Sequence, residues 1–80
     1  MTKAEAIEKA EKEGTLDLLI RAGLVDPRCL FYKEIYEHVT LKIKAGHPAM
    51  ETYSEYAINT RCSEVQIRKI CRNMAQEIGT

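Results

Sequence analysis

No tryptophan and only one phenylalanine occur in the 80 residues, and aromatics reach just 6%. A core built from this chain must be aliphatic, with Tyr32, Tyr36, Tyr53 and Tyr56 supplying most of the remaining bulk. No run alternates apolar and polar residues with β-branched enrichment, so no sheet is expected. No apolar stretch reaches the length of a membrane span or signal-peptide core, and the opening MTKAEAIEKAEKEG interleaves charges with small residues. Cys29, Cys62 and Cys71 are odd in number and form no CxxC, which fits a reducing, cytoplasmic setting better than a disulfide scaffold. Together with His38 and His47 they lack the short spacings of a structural zinc site, so neither a metal nor a cofactor is expected. There is no Gly-rich phosphate loop, no nucleophile beside a base and no carboxylate pair with a reason to be perturbed, so the chain does not read as an enzyme. Net charge is missing too: 12 cations balance 12 anions, with a pI of 6.7. A free-standing nucleic-acid binder is usually basic, and this balance counts against one.

What is present suits a single small globular domain. The chain is 45% apolar and 30% charged, near the lower size at which a hydrophobic core forms unaided. Turn residues divide it into five helical segments, an all-α class. Residues 2–13 form a charged helix with Ala6, Ile7 and Ala10 as its apolar line, supported by Glu5–Lys9 and Glu8–Lys12 pairs. Gly14 stops it. Thr15 is a candidate N-cap for a short helix from Leu16 to Ala22, ended by Gly23. Its Leu16, Leu18, Leu19 and Ile20 must be buried or paired with something.

Asp26-Pro27 signals the next start, with Asp as N-cap and Pro in the first helical position. The helix then runs to about Ala45 and stops at Gly46. Tyr32, Ile35, Tyr36, Val39 and Ile43 follow i, i+3, i+4, i+7, i+11, a single core-facing stripe. The tyrosines read as packing residues with the hydroxyl at the boundary, and His38 as a half-buried neighbour of the same stripe. His47-Pro48 opens a fourth helix whose inner face is Ala49, Tyr53, Tyr56, Ala57 and Thr60.

The last helix, 63–78, follows Cys62. Ser63 with Gln66 three residues on is a capping box. Ile67, Ile70, Cys71, Met74 and Ile78 make the buried stripe, again at i, i+3, i+4, i+7, i+11. Helical geometry then points Val65, Lys69, Arg72 and Gln76 outward, with Arg68 and Asn73 on the flanks. Charge is distributed unevenly. Residues 1–26 carry four cations and six anions, residues 27–49 four and two, and residues 50–80 four and four. Between Arg61 and Asn73, however, Arg61, Arg68, Lys69 and Arg72 face only Glu64. It is the local field that attracts an anion.

From Tyr53 onward the residues show a further pattern. Tyr56 and the small Ala57 lie on the inner face of one helix, Cys62 fills an apolar turn position before the Ser63 cap, and Ile67 and Ile70 anchor the helix that follows. The stretch resembles the helix-turn-helix DNA-binding superfamily, as found in bacterial repressors, recombinases and small phage or mobile-element regulators. It departs from that pattern at Arg61, where glycine is usual, and at Thr60, where a larger apolar residue is common. The resemblance implies a three-helix core over 27–80, closed by the helix from Pro27, with residues 1–26 as an N-terminal helical extension for docking or dimerisation. No β-hairpin follows, so no wing is expected.

The resemblance also implies duplex DNA as the partner, with the second helix in the major groove and a role in transcriptional or mobile-element regulation. Arg68, Lys69 and Arg72 would contact phosphates or bases, and Arg61 the backbone. Ser63 would donate to a phosphate at the helix N-terminus. Val65 would touch a thymine methyl, Glu64 would accept from cytosine, and Gln66, Asn73 and Gln76 would read adenine. A competing reading makes the chain a helical adaptor without nucleic-acid binding. Its apolar segment, through Leu16, Leu19, Ile20 and Leu24, would dock another protein or a second copy.

Overall fold

The computed structural model describes residues 1–78, folded into five α-helices. Helix α1 (Lys3–Lys12) starts at a capping box. Thr2 Oγ1 accepts from the Glu5 N–H at 3.1 Å, and the Glu5 carboxylate accepts from the Thr2 N–H at 2.9 Å. These bonds hold the Glu5 carboxyl below its usual pKa. Glu5 is thereby engaged at the cap, and the pair seen on α1 is Lys12–Glu8, at 3.4 Å. Helix α2 (Thr15–Arg21) follows at once. Gly14, at φ +79°, takes the N-cap position expected of Thr15. Thr15 is instead the first helical residue, its hydroxyl donating to the Ala10 carbonyl at 3.2 Å.

Helix α3 (Cys29–Lys44) begins two residues after Pro27, so Arg28 rather than Asp26 takes the N-cap and Pro27 lies in the turn before it instead of at the first helical position. Asp26 organises this start. Its Oδ1 accepts the Arg28 N–H at 2.9 Å, and its Oδ2 holds the guanidinium at 2.8 Å. Those bonds keep its carboxyl below the usual range. Helix α4 (Ala49–Thr60) starts after an extended Pro48 and leads through Arg61, Cys62 and Ser63 into α5 (Glu64–Met74).

Helix α5 stops four residues earlier than its apolar period suggests. Beyond Ala75 the backbone is extended, with the Lys3 N–H donating to the Gln76 carbonyl at 3.0 Å and the Ile78 N–H to the Met1 carbonyl at 2.9 Å. Thr2 and Glu77 form an isolated antiparallel bridge. Ile78 is 42% exposed rather than part of the buried stripe, and Gln76 lies off the helix. The competing backbone partners come from the far end of the chain, which the local period cannot register.

Helices α3, α4 and α5 pack around Ile35, Val39 and Ile67, with Tyr53, Tyr56, Ala57, Cys62, Ile70 and Cys71 against them. The N-terminal α1 lies on α3 and α5, and Ala4 and Met74 are buried. Apart from the one bridge no extended pairing occurs among the described residues, so no wing accompanies the three-helix core. No helix there is long and apolar enough to cross a membrane.

Several burial assignments differ from the sequence reading. Ile43, expected on the core-facing stripe, is exposed in the last turn of α3, so the stripe is buried only as far as Val39. Thr52 is 2% exposed and occupies the inner face of α4 where Ala49 was expected; Ala49 is exposed. The threonine hydroxyl satisfies itself by donating to the Pro48 carbonyl at 2.9 Å, which makes it admissible to a core. His38 is exposed, its ring 6.4 Å from that of Tyr56. Lys33 is buried, with Nζ 3.5 Å from Glu11 on α1 and 3.3 Å from Glu37. Cys29, Lys33 and Thr40 share a side of α3 about a quarter turn from the apolar stripe, and α1 covers that side. Burial works against the Lys33 charge, but the hydrogen bond to Glu37 and the carboxylates of Glu37 and Glu11 outweigh it and raise its pKa.

Replacing Ile67 by Ala should cost about 2–5 kcal/mol in chemical denaturation, because the site is closed on every side. The depressed pKa values of Glu5 and Asp26 give stability that is present above the ordinary carboxylate range and lost as pH falls through their folded values. An acid titration of the Glu5→Gln/Asp26→Asn double variant should therefore show a flatter loss of helicity than the parent chain.

Candidate nucleic-acid interface

The connection between α4 and α5 spans only Arg61, Cys62 and Ser63. Arg61 has φ +60° and ψ +20°, the only non-glycine residue at positive φ among the described residues. This is the position where glycine was the expected type, and arginine adopts the left-handed conformation nonetheless. Cys62 turns inward against the core cluster, which pins the turn. Ser63 then caps α5: its Oγ accepts from the Gln66 N–H at 3.1 Å, and Gln66 Oε1 accepts from the Ser63 N–H at 2.9 Å. The Ser63 hydroxyl proton remains free to donate. The first N–H groups of α5, at Glu64 and Val65, have no intrahelical acceptor.

Rotation of α5 about its axis is set by Ile67, which has no solvent exposure, and Met74, at 5%. Val65 is consequently 57% exposed, and Lys69 and Arg72, one and two turns on, are also exposed. Arg61, Ser63, Gln66 and Asn73 are exposed as well, whereas Glu64 is half-buried. Shallow grooves flank the helix on both sides, one of about 390 Å³ bordered by Tyr32, Gln66, Lys69 and Asn73. The other, of about 320 Å³, is bordered by Tyr53, Arg68 and Arg72. The exposed side of α5 is thus a ridge.

Two predicted positions stand differently. Gln76 lies beyond the end of α5 and does not share its outer face. Arg68 is half-buried and lies along α4, with its guanidinium 5.7 Å from the Tyr53 ring centroid and Nη2 3.2 Å from Met50 Sδ. Met50 and Tyr53 therefore shape the site, although sequence spacing offers no sign that Arg68 would reach them. The Gln66 carbonyl oxygen is occupied by the cap, leaving its amide NH₂ for other contacts.

Charge pairing separates this region from the rest of the surface. Of the eight cations before Arg61, five meet a carboxylate: Lys12, Arg21, Arg28, Lys33 and Lys42. Among the described residues no carboxylate lies within ion-pair distance of Arg61, Arg68, Lys69 or Arg72. Of the seven cations without a carboxylate partner among the described residues, four therefore lie at the turn and on α5, the other three being Lys3, Lys9 and Lys44. The nearby Cys71 is a packing residue, its thiol pKa raised by burial.

Compared with known proteins, the chain matches no family model, no curated protein and no solved structure.

The left-handed conformation at Arg61 makes a prediction for the turn. Substituting Arg61→Gly should relieve backbone strain and, after the added flexibility of the unfolded chain, stabilise the fold by roughly 0.5–1 kcal/mol. Arg61→Val should destabilise it; thermal melts of the two variants on opposite sides of the parent would establish the strain.

Proposed function

We propose that the chain binds duplex DNA through α4, the Arg61–Ser63 turn and α5, with α5 entering the major groove as a helix-turn-helix recognition helix. The observation that carries this reading is the set of carboxylate-free cations on a ridge whose rotation the core dictates. Lys69 and Arg72 lie at the centre of the ridge and take phosphates or guanine edges, while Val65 beside them suits a thymine methyl. Ser63 donates its free hydroxyl proton, together with the open N–H groups of Glu64 and Val65, to a backbone phosphate. Arg61 holds the backbone at the turn. Arg68, resting on Tyr53, serves a phosphate on the α4 side, and Asn73 an adenine on the other flank. Glu64, where a base comes close enough, accepts from cytosine. A role in transcriptional or mobile-element regulation follows from the resemblance, and no catalysis is assigned.

The second reading, a helical interaction module without nucleic-acid binding, draws on the zero net charge and on the exposed Leu18 and Leu24 near the other end of the chain. Salt dependence separates the two. With roughly four phosphate contacts, log K for duplex DNA should fall with log[salt] at a slope of about −3 to −4. No binding to pooled random duplexes at low salt, or a flat salt response, would remove the DNA reading. Lys69→Ala/Arg72→Ala should abolish binding with helicity intact. Arg61→Gly should weaken binding while raising stability, a combination that a purely structural role for Arg61 would not produce.

A further inference from the structure

Helix α2 is the least enclosed element of the molecule. Leu16 is buried and Leu19 and Ile20 are half-buried, and among the helices α2 packs closely on α1 alone. Its other side is open. Leu18 is 66% exposed, and Leu24, just past the Gly23 turn, is 74% exposed. Of the residues expected to dock a partner, Leu16 is thus consumed by the fold, and Leu18 and Leu24 carry the outward apolar surface. Beside Leu18, Asp17 and Arg21 stand one turn apart, 3.1 Å from each other, with both side chains more than 70% exposed.

An acid and a base four residues apart beside an open leucine form a surface complementary to its own reverse. Around a twofold axis, two antiparallel α2 helices bring each Asp17 to the other copy's Arg21 and place the Leu18 side chains between them. We infer that the open face of α2 is a self-association surface whose occupant is a second copy of this chain. Two leucines with a charged rim bury far less than the roughly 800 Å² per partner of a stable interface. The dimer is accordingly weak, and its population rises with protein concentration. No packing joins α2 to α5, so pairing at α2 leaves both α5 ridges open. The inference does not rest on the DNA reading.

Its test uses the full chain without DNA, by sedimentation equilibrium and ¹⁵N NMR between about 20 μM and 2 mM, a range in which a weak association shows by mass action. Mass should rise with concentration, and shifts should concentrate at residues 17–24. Asp17→Arg alone and Arg21→Asp alone should each remain monomeric, since like charges then face each other. Their equimolar mixture should associate about tenfold more tightly than either variant alone, because both cross-pairs are again opposite in sign. Leu18→Gln/Leu24→Gln should also be monomeric with unchanged circular dichroism, both sites being exposed. A monomeric parent at about 2 mM, shifts centred on another face, or a mixture no tighter than its components would each overturn the proposal.

Discussion

Burial of Ile67 between α3 and α4 governs the orientation of α5. A helix eleven residues long presents all its side chains at fixed angles, so seating one of them without solvent exposure settles where the others point. Val39 and Ile35 supply the facing surface from α3, and Tyr53, Tyr56 and Ala57 close it from α4. The small Ala57 lets α4 and α5 approach closely. The Ser63–Gln66 box fixes the axial start of α5 in the same way that Ile67 fixes its rotation. Start and rotation together leave Val65, Lys69 and Arg72 in water, and the cations reach outward as a consequence of apolar packing on the opposite face.

Electrostatics act at a shorter range than the overall composition suggests. The protein is neutral, yet pairing within the fold neutralises its charges unevenly. Lys42 meets Glu55 across α3 and α4, and that hydrogen bond raises the lysine pKa. Lys33 is held by carboxylates from α1 and α3. A largely exposed pair such as Lys42–Glu55 adds little stability, but both sets of ion pairs cancel local field where they occur. At the turn and along α5 nothing within ion-pair distance cancels it among the described residues. With a Debye length of roughly 8 Å at physiological ionic strength, anions near α5 respond mainly to the charges closest to them.

Attachment of α1 shows how a charged helix can join a core. Ala4 enters because it is small, and the capping box at Thr2 holds the helix start beside the extended end of the chain. Lys33 is the unusual element. Burying an ammonium is costly unless it is paired, and here Glu11 and Glu37 hold it from two helices. Both carboxylates are only partly exposed, so the interaction is less screened than a surface pair. The side of α3 that α1 covers carries Cys29, Lys33 and Thr40, none of which looks apolar enough to announce a second contact face.

Local chemistry alone determined much of this protein. Gly14, Gly23 and Gly46 divide the helices, Asp26 organises the start of α3, and Ser63 with Gln66 starts α5, because caps and left-handed turns depend on residues a few positions apart. The α3 stripe as far as Val39 and the inner face of α5 through Met74 were likewise readable, since one helical period repeats within each element. Contacts between distant residues decided the rest. Ile78 follows the apolar period but leaves the helix, because Met1 and Lys3 offer backbone partners from the other end of the chain. Thr52 outranks Ala49 in the core because its hydroxyl is satisfied by Pro48 and its side of α4 happens to face α3 and α5. Lys33 is buried because α1 lands on it, and Arg68 folds onto Tyr53 because α4 passes within reach. No periodicity along one segment encodes where another segment will lie, and for that reason the ridge on α5 was legible while its flanks were not.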